Sequence, residues 1–203
     1  DNTIDYDSFF NFLAQRRSVR NFKNKVVPDE IIEKIIKCVS TAPYGAGPDN
    51  VHITVINNRE VIEKALPDIA GFLQQIESWL KNPVIRFMIK KNAGIEQFNT
   101  INEHLLPRIK LKHYDVSSGL DHITRNAPAL MLFHAPQGTP ELTDDGLIYT
   151  TYAALAAHAL GLGATINGLI PPAINKTPRL KKYFRIPDSH TVIKSMIFGY
   201  PAI

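Results

Sequence analysis

The densest chemistry in this sequence lies in five consecutive residues. Arg16-Arg17-Ser18-Val19-Arg20 sets three guanidiniums and a hydroxyl side by side. A guanidinium presents a planar fork of donors that engages two phosphate oxygens at once, which an ammonium cannot copy. In extended backbone alternate side chains share a face. Arg16, Ser18 and Arg20 could then converge on one anion. The same run also reads as an ordinary solvated basic turn, and spacing alone leaves both readings open.

Other reactive side chains are scattered. The seven histidines are His52, His104, His113, His122, His134, His158 and His190, and no two stand at a metal-ligand spacing such as His-x-x-x-His. Each is expected on the surface or hydrogen-bonded in the core. The single cysteine, Cys38, rules out an internal disulfide and suits a cytosolic setting. Its place among the apolar positions of a helix marks it as a small buried filler. There is no Gly-x-Ser-x-Gly elbow and no phosphate loop ending Gly-Lys-Ser/Thr. Gly161-Leu162-Gly163 follows a helix and enters a strand, the reverse of a dinucleotide fingerprint.

The elements that must position these residues show in the periodicity. Ser8 to Arg17 reads as a helix with Phe9, Phe12 and Leu13 on one face. Pro28-Asp29-Glu30 opens a second helix, with Ile31, Ile32, Ile35, Ile36 and Val39 at helical spacing. Ala42-Pro43-Tyr44-Gly45-Ala46-Gly47-Pro48 breaks it. Val51 to Ile56 is a strand rich in β-branched residues, and Glu60 to Leu66 a short helix. Residues 68–112 fit two amphipathic helices interrupted near Pro83 and Gly94, the second limited by Pro107. Ala129 to His134 is a buried strand. Thr143-Asp144-Asp145 is expected to cap a long helix through Leu160, closed by Gly161 and apolar nearly all round. Ala164 to Ile170 and Val192 to Phe198 complete the strands. Helices dominate around four or five strands in mixed order, which indicates an α+β fold.

Composition bounds the function. The chain has 203 residues, 44% hydrophobic and 21% charged, an ordinary globular mixture and one domain's worth of length. Lys and Arg number 23 against 19 Asp and Glu, a net charge of +4. The basic residues are dispersed, without the dense stripe of a nucleic-acid face. No apolar run approaches the roughly 20 residues needed to span a bilayer, and the N-terminus lacks a signal-peptide pattern. The expected setting is cytoplasmic, with neither nucleic acid nor membrane as partner.

The ordered set of motifs resembles the nitroreductase family. The resemblance is carried by Arg16 to Phe22, Ala42-Pro43, the Ala-rich helix Ala153 to Gly163, and Gly199-Tyr200-Pro201, in that order along nearly the whole chain. The run Ala42 to Val51 is similar to a branch of the family often fused behind a ferredoxin module, whose clustered cysteines this chain lacks. The resemblance implies an α+β sandwich with a central, mostly antiparallel sheet of four or five strands among helices, one domain over residues 1–203, and an intertwined homodimer holding FMN at the subunit interface. It implies that Arg16, Arg17, Ser18 and Arg20 hold the FMN phosphate and ribityl chain. Pro43, Tyr44 and Gly45 would approach the flavin from the other subunit, and Thr165, Ile166, Asn167 and Gly168 would run along the isoalloxazine edge.

The activity so implied is an FMN-dependent oxidoreductase passing electrons from NAD(P)H or a ferredoxin to a small acceptor such as a nitroaromatic or quinone. The flavin does the chemistry, so no protein residue need be catalytic. The alternatives are a flavin-binding storage or sensing protein without turnover and, with no flavin, a mildly basic interaction domain. The resemblance implies that residues 68–112 correspond to an insertion shaping the pocket, where Phe72, Trp79, Phe87 and Phe98 could form aromatic walls; the same four also read as core residues of two packed helices. Two departures stand out. The family commonly has Asn and Gln where this chain has Gly47 and Asp49, and it carries a Lys or Arg beyond Gly-Tyr-Pro, past the point reached by Ile203.

Overall fold

The computed structural model describes residues 3–45, 47, 50–95, 99, 103, 114–115 and 118–202. The architecture follows from one strand. β4 (Ala129–Pro136) is buried along seven of its eight residues. Its alternate side chains feed two separate cores. Leu130 and Leu132 join an apolar cluster on one sheet face, while Ala129, Met131 and Phe133 join a second on the other. A strand covered on both faces has no polar side to show, which is why its sequence is a continuous apolar run.

Around it stands a four-stranded sheet of order β1-β4-β6-β5, with β1 (His52–Ile56), β5 (Gly163–Ile166) and β6 (His190–Gly199). Every pairing is antiparallel. A second, two-stranded ribbon pairs β2 (Tyr114–Asp115) with β3 (Leu120–Asp121). Helices α2 (Asp29–Val39) and α5 (Leu142–Ala159) cover one face of the main sheet. Helices α3 (Arg59–Lys81), α6 (Ile170–Lys176) and α7 (Pro178–Tyr183) cover the other. The expected α+β sandwich is thus present among the described residues.

Local chemistry sets most boundaries. Asp5 accepts from Ser8 N at 3.0 Å and starts α1 (Tyr6–Gln15), so Arg16 and Arg17 lie beyond the helix. Asn58 and Asn82 cap α3 and α4 (Pro83–Ala93) through Glu60 N at 2.9 Å and Val84 N at 2.9 Å. Gly161, at φ +76°, closes α5, with Leu162 N bonded to Ala157 O at 2.8 Å.

Four expectations need correction. The helix expected over Glu60–Leu66 continues through Pro67 to Lys81. An interior proline costs about 3 kcal/mol, but the stripe Ile62, Leu66, Ile69 and Leu73 is at most 2% exposed and outweighs it. Thr143-Asp144-Asp145 does not cap α5. Glu141 is the N-cap, in the left-handed region, and the three residues fall inside the helix. The strand expected over Ala164–Ile170 ends at Ile166, and Ile170 already begins α6. Asn167 stops it by turning side chain and backbone to other partners, and Pro171 then suits a first helical turn. Cys38 is half-buried on the rim of the second core rather than enclosed. Ala46, Pro48, Asp49, Phe98, His104, Pro107 and His113 lie outside the described residues.

Candidate functional site

Residues 16–22 leave α1 in extended conformation and run along the outer edge of β5. Ser18 makes a parallel bridge to Ala164, with Val19 N donating to Ala164 O at 3.1 Å. The Thr165 hydroxyl donates to Val19 O at 2.5 Å. Farther along, Lys23 N donates to Tyr200 O at 2.8 Å and Ala202 N to Asn21 O at 2.9 Å. The arginine run and the Gly-Tyr-Pro motif are therefore joined by the same edge. The close approach needs Gly163. A Cβ built there would stand 2.5 Å from Val19 Cβ.

The arginine run borders one cavity. Arg16, Arg17 and Val19 line a cavity of about 300 Å³ against His158 of α5 and Gly161 to Ala164. Ser18 and Arg20 are exposed and lie outside that lining. Arg16, Arg17 and Arg20 form no ion pair among the described residues. Three uncompensated guanidiniums on one short edge are a donor set suited to a phosphate.

The segment after β5 is held rigidly. Asn167 N donates to Ser195 O at 2.8 Å, and the buried Ser195 hydroxyl returns a bond to Asn167 O at 2.7 Å. The Asn167 side chain donates to Ile123 O at 2.5 Å and accepts from Leu169 N at 2.9 Å. The Ile123 turn is itself pinned by buried Asp121, which accepts from Ile123 N at 2.9 Å, Thr124 N at 2.7 Å, and the Arg59 guanidinium at 3.1 Å. With Thr165 tied to Val19 and Asn167 tied on both sides, the segment's free groups are those of Ile166, which is 42% exposed, and Gly168. The backbone of Ala164 faces the outer edge through its bond to Val19, so strand alternation turns Ile166 N–H outward as well. Ile166, Asn167 and Gly168 also line a cavity of about 520 Å³ reaching Phe72, α6 and Lys194.

Pro43, Tyr44 and Gly45 sit elsewhere. Gly45 N donates to the buried Asp145 carboxylate at 2.8 Å, in the first turn of α5. The arginine-lined cavity meets α5 at His158. At 1.5 Å per residue those two ends are about 20 Å apart. Tyr44 is 50% exposed. Within one chain, then, the loop and the arginines are brought to opposite ends of one helix.

Of the proposed aromatic walls, Phe72 is in the core beside the larger cavity, whereas Trp79 and Phe87 are exposed. A cluster invisible in sequence also forms. His52 and His134 are partners across β1 and β4, and His190 of β6 lies beside them. The ring centroids stand 4.9–5.6 Å apart. His134 Nδ1 meets His190 Nδ1 at 2.9 Å, and its Nε2 meets Thr54 Oγ1 at 3.0 Å. Burial first, then neighbouring His190 and His52, hold the His134 pKa down to about 4. His190 is lowered as well, by burial and then by His52 and Lys181. Only strand pairing could have revealed this trio. Among the described residues no group of three or more His, Cys, Asp or Glu is placed to hold a metal, and no helix is long and apolar enough to cross a membrane.

Comparison with known proteins gives a consistent result. The profile of the Nitroreductase family matches residues 13–200. A Methanothermobacter thermautotrophicus protein, a candidate NADH dehydrogenase/NAD(P)H nitroreductase by name, is 23% identical over 191 residues, covering 94% of this chain and 75% of that one. Among solved structures, the Bacteroides fragilis nitroreductase with bound FMN superposes with a TM-score of 0.69 at 20% identity, over 95% of this chain and 88% of the other. Oxidised iodotyrosine deiodinase bound to FMN and 3-iodo-L-tyrosine superposes with a TM-score of 0.64 at 16% identity, over 95% and 89%.

Proposed function

Because the chain belongs to the nitroreductase family, we propose that it is an FMN-dependent oxidoreductase working as a homodimer, with NAD(P)H or a ferredoxin as donor and a nitroaromatic or quinone as acceptor. The observation that carries this reading is the edge of β5, where unpaired arginines and a clamped strand end lie in sequence along one line. FMN, when bound, supplies the redox chemistry between donor and acceptor. The residues of the chain bind and orient it. Arg16, Arg17, Ser18 and Arg20 neutralise its phosphate and hold the ribityl chain. Thr165 and Asn167 fix the backbone, so that Ile166 and Gly168 offer N–H groups to the ring edge without an acid or base.

A second copy completes the site. Pro43, Tyr44 and Gly45, at the far end of α5 from their own arginines, serve the flavin of the partner. Exposed apolar residues support this. α1 has no buried residue, with Tyr6, Phe9 and Phe10 at 72%, 45% and 55% exposure, and Leu147 on α5 is 48% exposed. Covering these side chains is worth roughly 25 cal/mol per Å².

The test is direct. The purified protein should be yellow, with about one FMN per chain, and should bleach anaerobically on adding NADH, NADPH or reduced ferredoxin. Arg20→Ala should weaken FMN affinity by about 1.5–3 kcal/mol, the scale of a hydrogen bond to a charged group. Colour without bleaching by any donor selects the storage or sensing reading. A flavin-loaded particle with the mass of one 22.7 kDa chain in light scattering would defeat the interface site.

A further inference from the structure

We infer that the cavity at the end of β5 selects planar acceptors bearing an anionic group such as a carboxylate, and that Lys194 is the residue that reads the charge. The inference rests on the reading above, that Ile166 to Gly168 run along the flavin, and it names the class of acceptor.

The cavity encloses about 520 Å³, within the range of small-molecule sites. Phe72, Ile166 and Pro171 give it apolar walls suited to a flat ring. Among the described residues its charged lining side chains are Lys176 and Lys194, and no Asp or Glu lines it. Asn175, the remaining polar side chain of α6 there, is already spent. Its amide donates to Val192 O at 2.8 Å and its carbonyl accepts from Val192 N at 2.8 Å, so it braces β6 and has little left for a ligand.

Lys194 differs from an ordinary surface lysine. It is half-buried on β6, beside a register shift in which Phe133 pairs with Lys194 but His134 pairs with Val192. Ile193 is the extra residue, packed where a Cβ on Gly146 of α5 would come within 2.7 Å of it. Such bulges re-aim neighbouring side chains. β5 ends opposite Met196, so among the described residues this stretch of β6 is flanked by β4 alone. Lys194 forms no ion pair among the described residues. A lysine beside an apolar cavity and without an ion pair among the described residues is available to an anionic ligand. Lys176, exposed at the rim, adds a weaker attraction screened by salt.

The experiment uses the FMN-loaded protein and three nitroarenes of similar size: 4-nitrobenzoate, nitrobenzene and 4-nitrophenyltrimethylammonium. At low ionic strength kcat/KM should fall in that order. Lys194→Gln should lower the ratio of kcat/KM for 4-nitrobenzoate over nitrobenzene about tenfold, the scale of one charge-assisted hydrogen bond, and Lys194→Glu should invert the preference. The dissociation constant of unreactive benzoate, read from its perturbation of the visible flavin band, should rise by a similar factor. If the ratio is the same in the parent, Lys194→Gln and Lys194→Glu, the inference is overturned. Should Lys194 variants fail to fold, Lys176→Gln and 0.5 M salt must each reduce the ratio in the remaining proteins, and a ratio unmoved by both overturns it equally. A protein without FMN would instead sink the functional reading. Calorimetry of 4-nitrobenzoate against nitrobenzene on the protein as purified then decides the cavity's preference, with equal affinities counting against it.

Discussion

Gly163→Ala adds one methyl group at the point where the arginine segment rests on the sheet. The new Cβ would stand 2.5 Å from Val19 Cβ and 2.6 Å from each of its methyl carbons. Carbon–carbon contacts relax at about 3.5–4.0 Å, so the segment must retreat by roughly 1 Å. The Val19 N to Ala164 O bond, now 3.1 Å, then passes out of hydrogen-bonding range, and the Thr165 hydroxyl bond to Val19 O stretches with it. Each lost bond is worth about 0.5–1.5 kcal/mol, and overpacking adds about 1–3 kcal/mol. The total loss is about 2–6 kcal/mol, toward the lower end if the segment lifts off locally rather than straining the sheet. Because Arg16, Arg17, Ser18 and Arg20 move with Val19, FMN content should fall together with the urea midpoint. Val19→Gly in the same background removes all three clashing carbons and should restore part of both. A Gly163→Ala protein that keeps its stability within about 0.5 kcal/mol and its full flavin content would refute the idea that this contact seats the arginines.

Three further outcomes follow from the same reasoning. Gly71 lies inside α3 with open space where a Cβ would go, so Gly71→Ala should raise stability by about 0.5–1 kcal/mol in the same urea assay; a loss would mean that α3 is strained there. His134 has a folded pKa of about 4 against an ordinary 6.5. Its contribution is fully present above pH 6.5 and is lost as pH falls toward 4, because the unfolded chain takes the proton first. The shift is worth at most about 3 kcal/mol, and nearer half that because solvent reaches the trio through exposed His52. His134→Asn should therefore flatten the dependence of stability on pH over that window, and an unchanged slope would assign it to other groups. Ser195→Ala removes the hydroxyl that bonds Asn167 O and should cost about 1–3 kcal/mol, with faster amide exchange at Gly168; unaltered exchange would show that Ser195 does not hold the segment.

Much of this protein is legible in one dimension, because helix and strand periods are properties of neighbouring residues. The Ile32, Ile35 and Val39 spacing marks α2, and the unbroken apolar run marks a strand covered on both faces. Gly161 marks the end of α5 through its own backbone freedom. The order of the weak motifs carried the family resemblance. Local signals failed where distant partners outbid them. Pro67 stays helical because its helix has a continuous stripe to bury. Asn167 ends a strand that β-propensity would extend, because Ser195 and Ile123 claim its groups. Tertiary structure alone decided the rest. It sets Arg16 and Arg17 at a cavity beside one end of α5, and it puts Pro43 to Gly45 at the far end of α5 from those arginines. It also gathers His52, His134 and His190 from three strands. Each of these is a statement about which segments pair and in what register, and register is set by the packing of both sheet faces at once.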